Sequence, residues 1–217
     1  LTSLDISQNT MLNSLNYSSN QVSALDISQN IALESLICWN NGITALDVSQ
    51  NAVLTYLSCS YNQITSLDVS QNTVLESLFC WNNELTSLDL SQHTALTFLG
   101  CEFNQLTCLN IKNGANSIFD YFGARSNPNL TCIEVDDEVW SSTNWTVTAL
   151  EIDTQTSFST NCNNNCSNYV GINELTNTAK QLIKIVDLTG RETNIKSNTL
   201  QVYIYSDGSR EKVFKLD

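Results

Sequence analysis

From Leu33 to Asn51 the chain reads L-E-S-L-I-C-W-N-N-G-I-T-A-L-D-V-S-Q-N. The same frame opens one unit earlier at Leu12 and restarts at Leu54, Leu75 and Leu96. One column of equivalent positions runs Leu4, Leu25, Leu46, Leu67, Leu88 and Leu109. A second runs Tyr17, Cys38, Cys59, Cys80 and Cys101, and a third Asn20, Asn41, Asn62, Asn83 and Asn104. All three keep a spacing of 21 residues without insertion. Self-similarity at a fixed short period means stacked coils that bury one continuous core between neighbours.

Each coil contains two copies of a smaller unit, L-x-[apolar]-x-x-N. Here they are Leu36-Cys38-Asn41 and Leu46-Val48-Asn51. Alternation with period two predicts a very short strand with one face inward. The Asn after it sits where the chain turns, and its amide is expected to bond the backbone of the next coil, which would otherwise leave polar groups stranded inside. The one histidine, His93, occupies an Asn slot of this kind.

The pattern L-x-x-L-x-C-x-x-N-x-L-x-x-L-D-L-x-x-N resembles the short, Cys-containing class of bacterial leucine-rich repeats, the nested IRREKO-type pattern. The resemblance covers residues 1–135. It implies a mainly β repeat solenoid with short parallel strands, and it does not imply an enzyme or a cofactor.

Charge divides the chain. Residues 1–166 carry 16 acids against two bases, Lys112 and Arg125, whereas residues 167–217 carry six acids and seven bases. Such a shift marks a module boundary. A solenoid with no Lys or Arg before residue 112 cannot neutralise phosphates, so nucleic acid is not expected as a partner. No apolar run is long enough for a transmembrane segment. The chain opens mid-coil at Leu1-Thr2-Ser3-Leu4, so an incomplete N-terminus is expected.

The cysteines form two groups. Cys38, Cys59, Cys80 and Cys101 stand in a core column, where small buried thiols are expected. Cys108, Cys132, Cys162 and Cys166 lie at or beyond the end of the repeats and are disulfide candidates, which fits secretion. The frame returns once more as Phe122-x-Ala124-x-x-Asn127 and as Ile133-x-Val135, in a slightly enlarged last coil. Cys108 and Cys132 both precede an inward residue of equivalent strands, which would set them side by side. Residues 136–166 are expected to form a C-terminal cap and Asn-rich linker, with Trp140, Trp145, Val147 and Phe158 covering the open end of the core. The stretch Asn127-Pro128-Asn129-Leu130-Thr131-Cys132-Ile133-Glu134-Val135-Asp136-Asp137 is similar to the terminal coil of secreted Bacteroidetes-type repeat proteins. That similarity implies a Cys132–Cys162 bridge instead.

Beyond residue 167 the composition changes. Strands are expected over Leu182–Leu188, Leu200–Tyr205 and Lys212–Leu216, with Thr189-Gly190-Arg191 as a turn and Asp207-Gly208 as a hairpin turn. The residues Asp187, Leu188, Gly190, Arg191, Glu192, Tyr205, Asp207, Gly208 and Lys212 resemble the C-terminal sorting domain of proteins exported by the type IX secretion system. Residues 167–217 would then be a small β module read by export machinery, and the protein would act outside the cell or on its outer surface.

Catalytic patterns are missing. A hydrolytic triad needs a histidine beside a nucleophile and an acid, and His93 sits in a turn ladder. There is no P-loop, no G-x-G-x-x-G and no H-E-x-x-H. The column Asp5, Asp26, Asp47, Asp68 and Asp89 projects outward. Neighbours about 5 Å apart repel by roughly 0.8 kcal/mol in water. The column therefore stays wet, bonds its flanking Ser residues, or takes cations. Asp26, Asp47, Asp68 and Asp89 are weak calcium candidates, because one carboxylate per coil supplies few of the six to eight oxygens the ion needs.

The aromatic residues carry the functional expectation. Before residue 112 all eight lie in the L-x-x-L-x-C-x-x-N half of the coil. Tyr17 is inward, and parity turns most of Trp39, Tyr56, Tyr61, Phe79, Trp81, Phe98 and Phe103 outward. They alternate between coils, which predicts rings about 10 Å apart within each type. A contiguous exposed aromatic patch marks binding of a protein or glycan ligand. Rings that merely pack on one another would instead stabilise a passive or calcium-stiffened surface repeat.

Overall fold

The structure, a computed structural model, describes residues 1–163 and 166 together with the backbone of three later strands, 182–186, 200–205 and 210–214. The chain divides into two units, Leu1–Asn168 and Tyr169–Asp217.

In the first unit the L-x-x-L-x-C half of each coil becomes a three-residue strand. These are β1 (Ser14–Asn16), β2 (Ser35–Ile37), β3 (Tyr56–Ser58), β4 (Ser77–Phe79), β6 (Phe98–Gly100) and β8 (Tyr121–Gly123). They form one parallel sheet in that order. Its register places Leu15, Leu36, Leu57, Leu78, Leu99 and Phe122 side by side. The cysteine column continues the ladder: Cys38 N–H donates to Ser58 O, Cys59 to Phe79 O, Cys80 to Gly100 O and Cys101 to Gly123 O, each at 2.8 Å. The thiols of Cys38, Cys59, Cys80 and Cys101 are free and fully buried. Burial raises all four thiol pKa values, that of Cys38 to about 12, so they act as small core hydrophobes rather than nucleophiles.

The second half-unit departs from expectation. Regular strands form there only toward the C-terminal end, as β5 (Ser87–Asp89), β7 (Cys108–Asn110), β9 (Cys132–Glu134) and β10 (Ser157–Ser159), a parallel sheet ordered β10-β9-β7-β5. Leu4, Leu25 and Leu46 are only partly buried, whereas Leu67, Leu88 and Leu109 are buried. In the later coils Thr107 N–H reaches Thr86 O at 2.8 Å. In earlier and later coils alike two consecutive turns close the segment, for example Asn51 N–H to Val48 O and Leu54 N–H to Asn51 O, and His93 N–H to Leu90 O and Leu96 N–H to His93 O.

The asparagine ladder is present, but it points to the preceding coil and not the next. Asn41 Nδ2 donates to Tyr17 O at 3.0 Å and Cys38 O at 3.1 Å, and its Oδ1 accepts from Val22 N–H. The residue in front of each ladder Asn has a left-handed backbone (Ser19, Asn40, Tyr61, Asn82, Phe103, Ser126), and this turn swings the amide inward and backward. A second ladder behaves alike: Asn51 donates to Ile27 O and Asn30 O, and Asn72 to Val48 O and Asn51 O. His93 replaces the next Asn. Its Nε2 meets Val69 O at 3.1 Å, and among the described residues its Nδ1 has no partner.

Burial pushes the His93 imidazole below its usual pKa, and the carbonyls of Val69 and Leu90 oppose this only in part. The folded state therefore holds a neutral ring. Below about pH 6.5 the unfolded chain binds a proton that the folded chain refuses, so stability is present above that pH and is lost as pH falls toward the depressed folded pKa. Replacing His93 by Asn is expected to remove part of the stability loss between about pH 7 and pH 5. Urea unfolding of both proteins at the two pH values measures it; equal losses would contradict the buried neutral ring.

The end of the core is closed by residues 112–163. A 3-10 turn at Asn116–Ile118 enlarges one coil, and helix α1 (Glu138–Asn144) enlarges the next. Asp137 caps α1 by accepting from the N–H groups of Val139 and Trp140. Trp145 stacks on Phe122 with centroids 4.2 Å apart, meets Trp140 edge-on and lies tilted against Phe158. Val147, expected in this cover, remains 38 % exposed. Beyond α1 the chain re-enters the solenoid: β10 pairs with β9, and Ala124 N–H donates to Glu151 O at 2.7 Å.

Two disulfides tie this region. Cys132 joins Cys162 with Cα atoms 5.8 Å apart, as the family resemblance implies. Cys108 joins Cys166 at 5.3 Å, so the alternative pairing of Cys108 with Cys132 does not form.

The second unit is an antiparallel sheet of β11 (Leu182–Val186), β12 (Leu200–Tyr205) and β13 (Arg210–Phe214), with β12 in the centre. The last strand lies two residues earlier than the sequence pattern predicts. The turns expected at Thr189-Gly190-Arg191 and Asp207-Gly208, and the export-motif residues Asp187, Leu188 and Glu192, lie outside the described residues.

Candidate functional site

Parallel stacking in strict register adds one residue per coil into surface columns. On the larger sheet one outward column is Ser14, Ser35, Tyr56, Ser77, Phe98, Tyr121, and the next is Asn16, Ile37, Ser58, Phe79, Gly100, Gly123. The face is small and polar at β1 and becomes aromatic toward β8. Phe98 and Tyr121 are exposed, and Tyr56 and Phe79 half-buried. Gly100 leaves a gap across which Phe79 reaches Tyr121, with ring centroids 6.3 Å apart; on its other side Phe79 meets Tyr56 at 5.9 Å.

Along the edge where these strands end, Trp39, Tyr61, Trp81, Phe103 and Arg125 form a zigzag ridge. Rings of adjacent coils touch within the expected stripe. Tyr61 meets Trp81 edge-on at 4.6 Å, and the Arg125 guanidinium sits 5.4 Å from the Phe103 ring centre. Trp39 is 38 % exposed and Tyr61 and Phe103 are each 45 % exposed. All seven aromatic residues singled out in the sequence therefore stand on one face or its edge.

A feature the sequence reading missed is the backbone beneath two of them. Tyr61 has φ +52° and Phe103 φ +54°. A left-handed conformation costs a residue with a Cβ about 1–2 kcal/mol, and Asn tolerates it better than a bulky ring. The equivalent residues in neighbouring coils are Asn40 and Asn82, with φ 58° and 56°. The signal was available in that column, where Ser and Asn alternate with rings.

Three more residues complete the face at its C-terminal end. Glu102 is buried. Its carboxylate lies over the bare backbone of Gly100 and Gly123 and accepts a hydrogen bond from Tyr121 Oη. A Cβ on Gly123 would come within 2.3 Å of Glu102 Oε1, so that glycine is the space the carboxylate occupies. Burial, with the hydrogen bond to Glu102, raises the Tyr121 hydroxyl to about 12. Glu102, Tyr121 and Arg125 open on a cleft of about 530 Å³ whose other wall includes Trp140, Trp145 and Glu151.

The opposite half of the coil is different in kind. Oδ1 of Asp5, Asp26, Asp47, Asp68 and Asp89 accepts from the backbone N–H of the serine two residues on, at 2.9–3.0 Å. The serine bonds hold Asp5, Asp26 and Asp47 below the usual carboxylate range. Among the described residues no three His, Cys, Asp or Glu side chains converge on a point where a metal would sit. His93 is buried against backbone carbonyls, out of reach of a substrate.

No protein-family model matches the chain, and no curated protein matches it. Among solved structures, the functional domain of InlJ from Listeria monocytogenes, described as including a cysteine ladder, aligns at 34% identity and a TM-score of 0.56. The alignment covers 62% of this chain and 33% of that one, so the chain spans a third of that domain. A leucine-rich-repeat protein of Leptospira interrogans aligns at 22% identity and a TM-score of 0.44, over 71% of this chain and 44% of that one. The fold is that of a leucine-rich-repeat solenoid of about seven turns with 21-residue spacing.

Proposed function

We propose that this chain is a recognition protein that captures a ligand through the aromatic face and its ridge, and that it works outside the cell or on its outer surface. The observation that carries this reading is the placement of Trp39, Tyr61, Trp81 and Phe103 together on one edge, partly exposed, two of them on a backbone that disfavours rings. Aromatic side chains supply most of the affinity at protein interfaces, at about 2 kcal/mol or more for each central ring. The leucine-rich-repeat fold supports protein binding in particular. Two disulfides support an oxidising compartment. No helix among the described residues is long and apolar enough to cross a membrane.

We assign residues 1–135 to the binding solenoid, 136–166 to its closing segment, and 167–217 to an address read by type IX export machinery. The resemblance of the last segment to a sorting domain supports that assignment, as does its separate antiparallel sheet. A glycan ligand is the second reading, favoured by flat rings beside Asn40, Asn82 and Glu76, which are exposed.

The test is a screen of the protein against surface proteins and immobilised glycans, repeated with the Trp39→Ala, Trp81→Ala variant. Capture is expected to fall at least tenfold while the melting temperature changes little. Unchanged capture with a lower melting temperature would show that the indoles serve packing.

A further inference from the structure

The Gly100–Gly123 notch holds a charge problem. Glu102 is only 8 % exposed. One carboxylate oxygen accepts from Tyr121, and among the described residues no ion-pair partner reaches the other. Arg125, which also lines the cleft, lies over the Phe103 ring on the ridge, 5.4 Å from its centre, and makes no ion pair with Glu102 among the described residues. One Glu102 oxygen is committed to Tyr121, and the other is left facing the cleft for a donor from outside. The glycines on adjacent strands keep the floor bare, and the cleft above has aromatic walls at Tyr121 and Trp140.

The surroundings have the same sign. Residues 1–166 carry 16 acids and two bases, a net charge of −14. Glu34, Glu76 and Asp120, all exposed, each stand one residue before a strand of the larger sheet, so an acidic rim borders the face opposite the ridge. Such a field attracts and orients a basic partner surface.

We infer that Glu102, seated in the Gly100–Gly123 notch, receives the cationic end of a basic side chain of the protein ligand, with Tyr121 and Trp140 flanking it. This rests on the reading of the face as a protein-binding surface and adds the chemistry of one contact. A guanidinium fits best: it is planar, pairs with a carboxylate through two N–H groups, and stacks on rings. Asp120 and Glu151 beside the cleft add negative potential.

The probe is N-acetyl-arginine N-methylamide, titrated into the full-length, nitrogen-15-labelled protein. N-acetyl-citrulline N-methylamide, of equal size and uncharged, is the comparator. Saturable shifts are expected at the Gly100 and Gly123 amides and the Trp140 indole N–H with the arginine probe, and binding at least tenfold weaker with citrulline. Glu102→Gln should abolish the preference. Gly123→Ala keeps the charge but drives the carboxylate out of the notch, and it should weaken arginine binding tenfold as well. Equal response to both probes, no saturable response, or an arginine preference that survives either substitution would overturn the inference. If the preference is missing while Trp39→Ala, Trp81→Ala still abolishes capture, the notch assignment fails and the ridge stands.

Discussion

Replacing Asn62 by Ala should destabilise the solenoid by about 3–5 kcal/mol, enough to remove much of the stability of a domain this size. The side chain makes five contacts with backbone that has little else to bond. Nδ2 donates to Cys38 O, Cys59 O and Ser60 O, at 3.1, 2.9 and 3.1 Å. Oδ1 accepts from the N–H groups of Asn41 and Ile43, both at 3.0 Å. The carbonyls lose one of several acceptor roles, but the two N–H groups lose their only partner among the described residues, at about 1–3 kcal/mol each. Gln63→Ala, next in sequence with an exposed side chain, is the control and should stay within about 0.5 kcal/mol. Chemical unfolding of the two variants measures the difference. A loss below about 1 kcal/mol for Asn62→Ala would mean that the ladder amides are replaceable by water.

That ladder also shows how far the sequence could be read. Constant coil length makes residue i and residue i+21 neighbours, so the leucine, cysteine and asparagine columns are visible in the text of the chain. Parity within a coil then assigns Tyr56, Phe79 and Phe98 to the outward face. The direction of the amide bonds is not visible, because it depends on the left-handed residue before each Asn, and Asn40 and Tyr61 look unrelated until their backbones are compared. Tyr121 and Arg125 leave the frame for another reason. The 3-10 turn at Asn116–Ile118 lengthens that coil, so Tyr121 falls 23 residues after Phe98 and drops out of a 21-residue frame. The Cys108–Cys166 bridge spans 58 residues and obeys no period. Only folding brings its ends together.

Exchanging the rings at Tyr61 and Phe103 for Asn should leave stability within about 1 kcal/mol and lower ligand capture at least a hundredfold. The stability terms oppose each other. Relief of the left-handed strain returns about 1–2 kcal/mol at each site, since Asn already occupies this conformation at Asn40 and Asn82. Against that stand the Tyr61–Trp81 edge contact, about 0.5–1.5 kcal/mol, and the Phe103–Arg125 contact, about 0.5–1 kcal/mol. The contacts are too weak to outweigh the strain, so packing alone does not account for rings at these positions. Strain retained where the residue meets a ligand is the pattern expected of a binding surface. Two central rings at about 2 kcal/mol each correspond to a loss of about a thousandfold, and a hundredfold allows for non-additivity.

The decisive measurement is therefore melting temperature and ligand capture, taken on the same preparation of Tyr61→Asn, Phe103→Asn beside the unaltered protein. The result expected of a recognition surface is an unchanged melting temperature with capture lost. A fall of more than about 2 kcal/mol in stability with capture intact would contradict it, and would make the ridge a stay of the solenoid rather than its contact with another molecule.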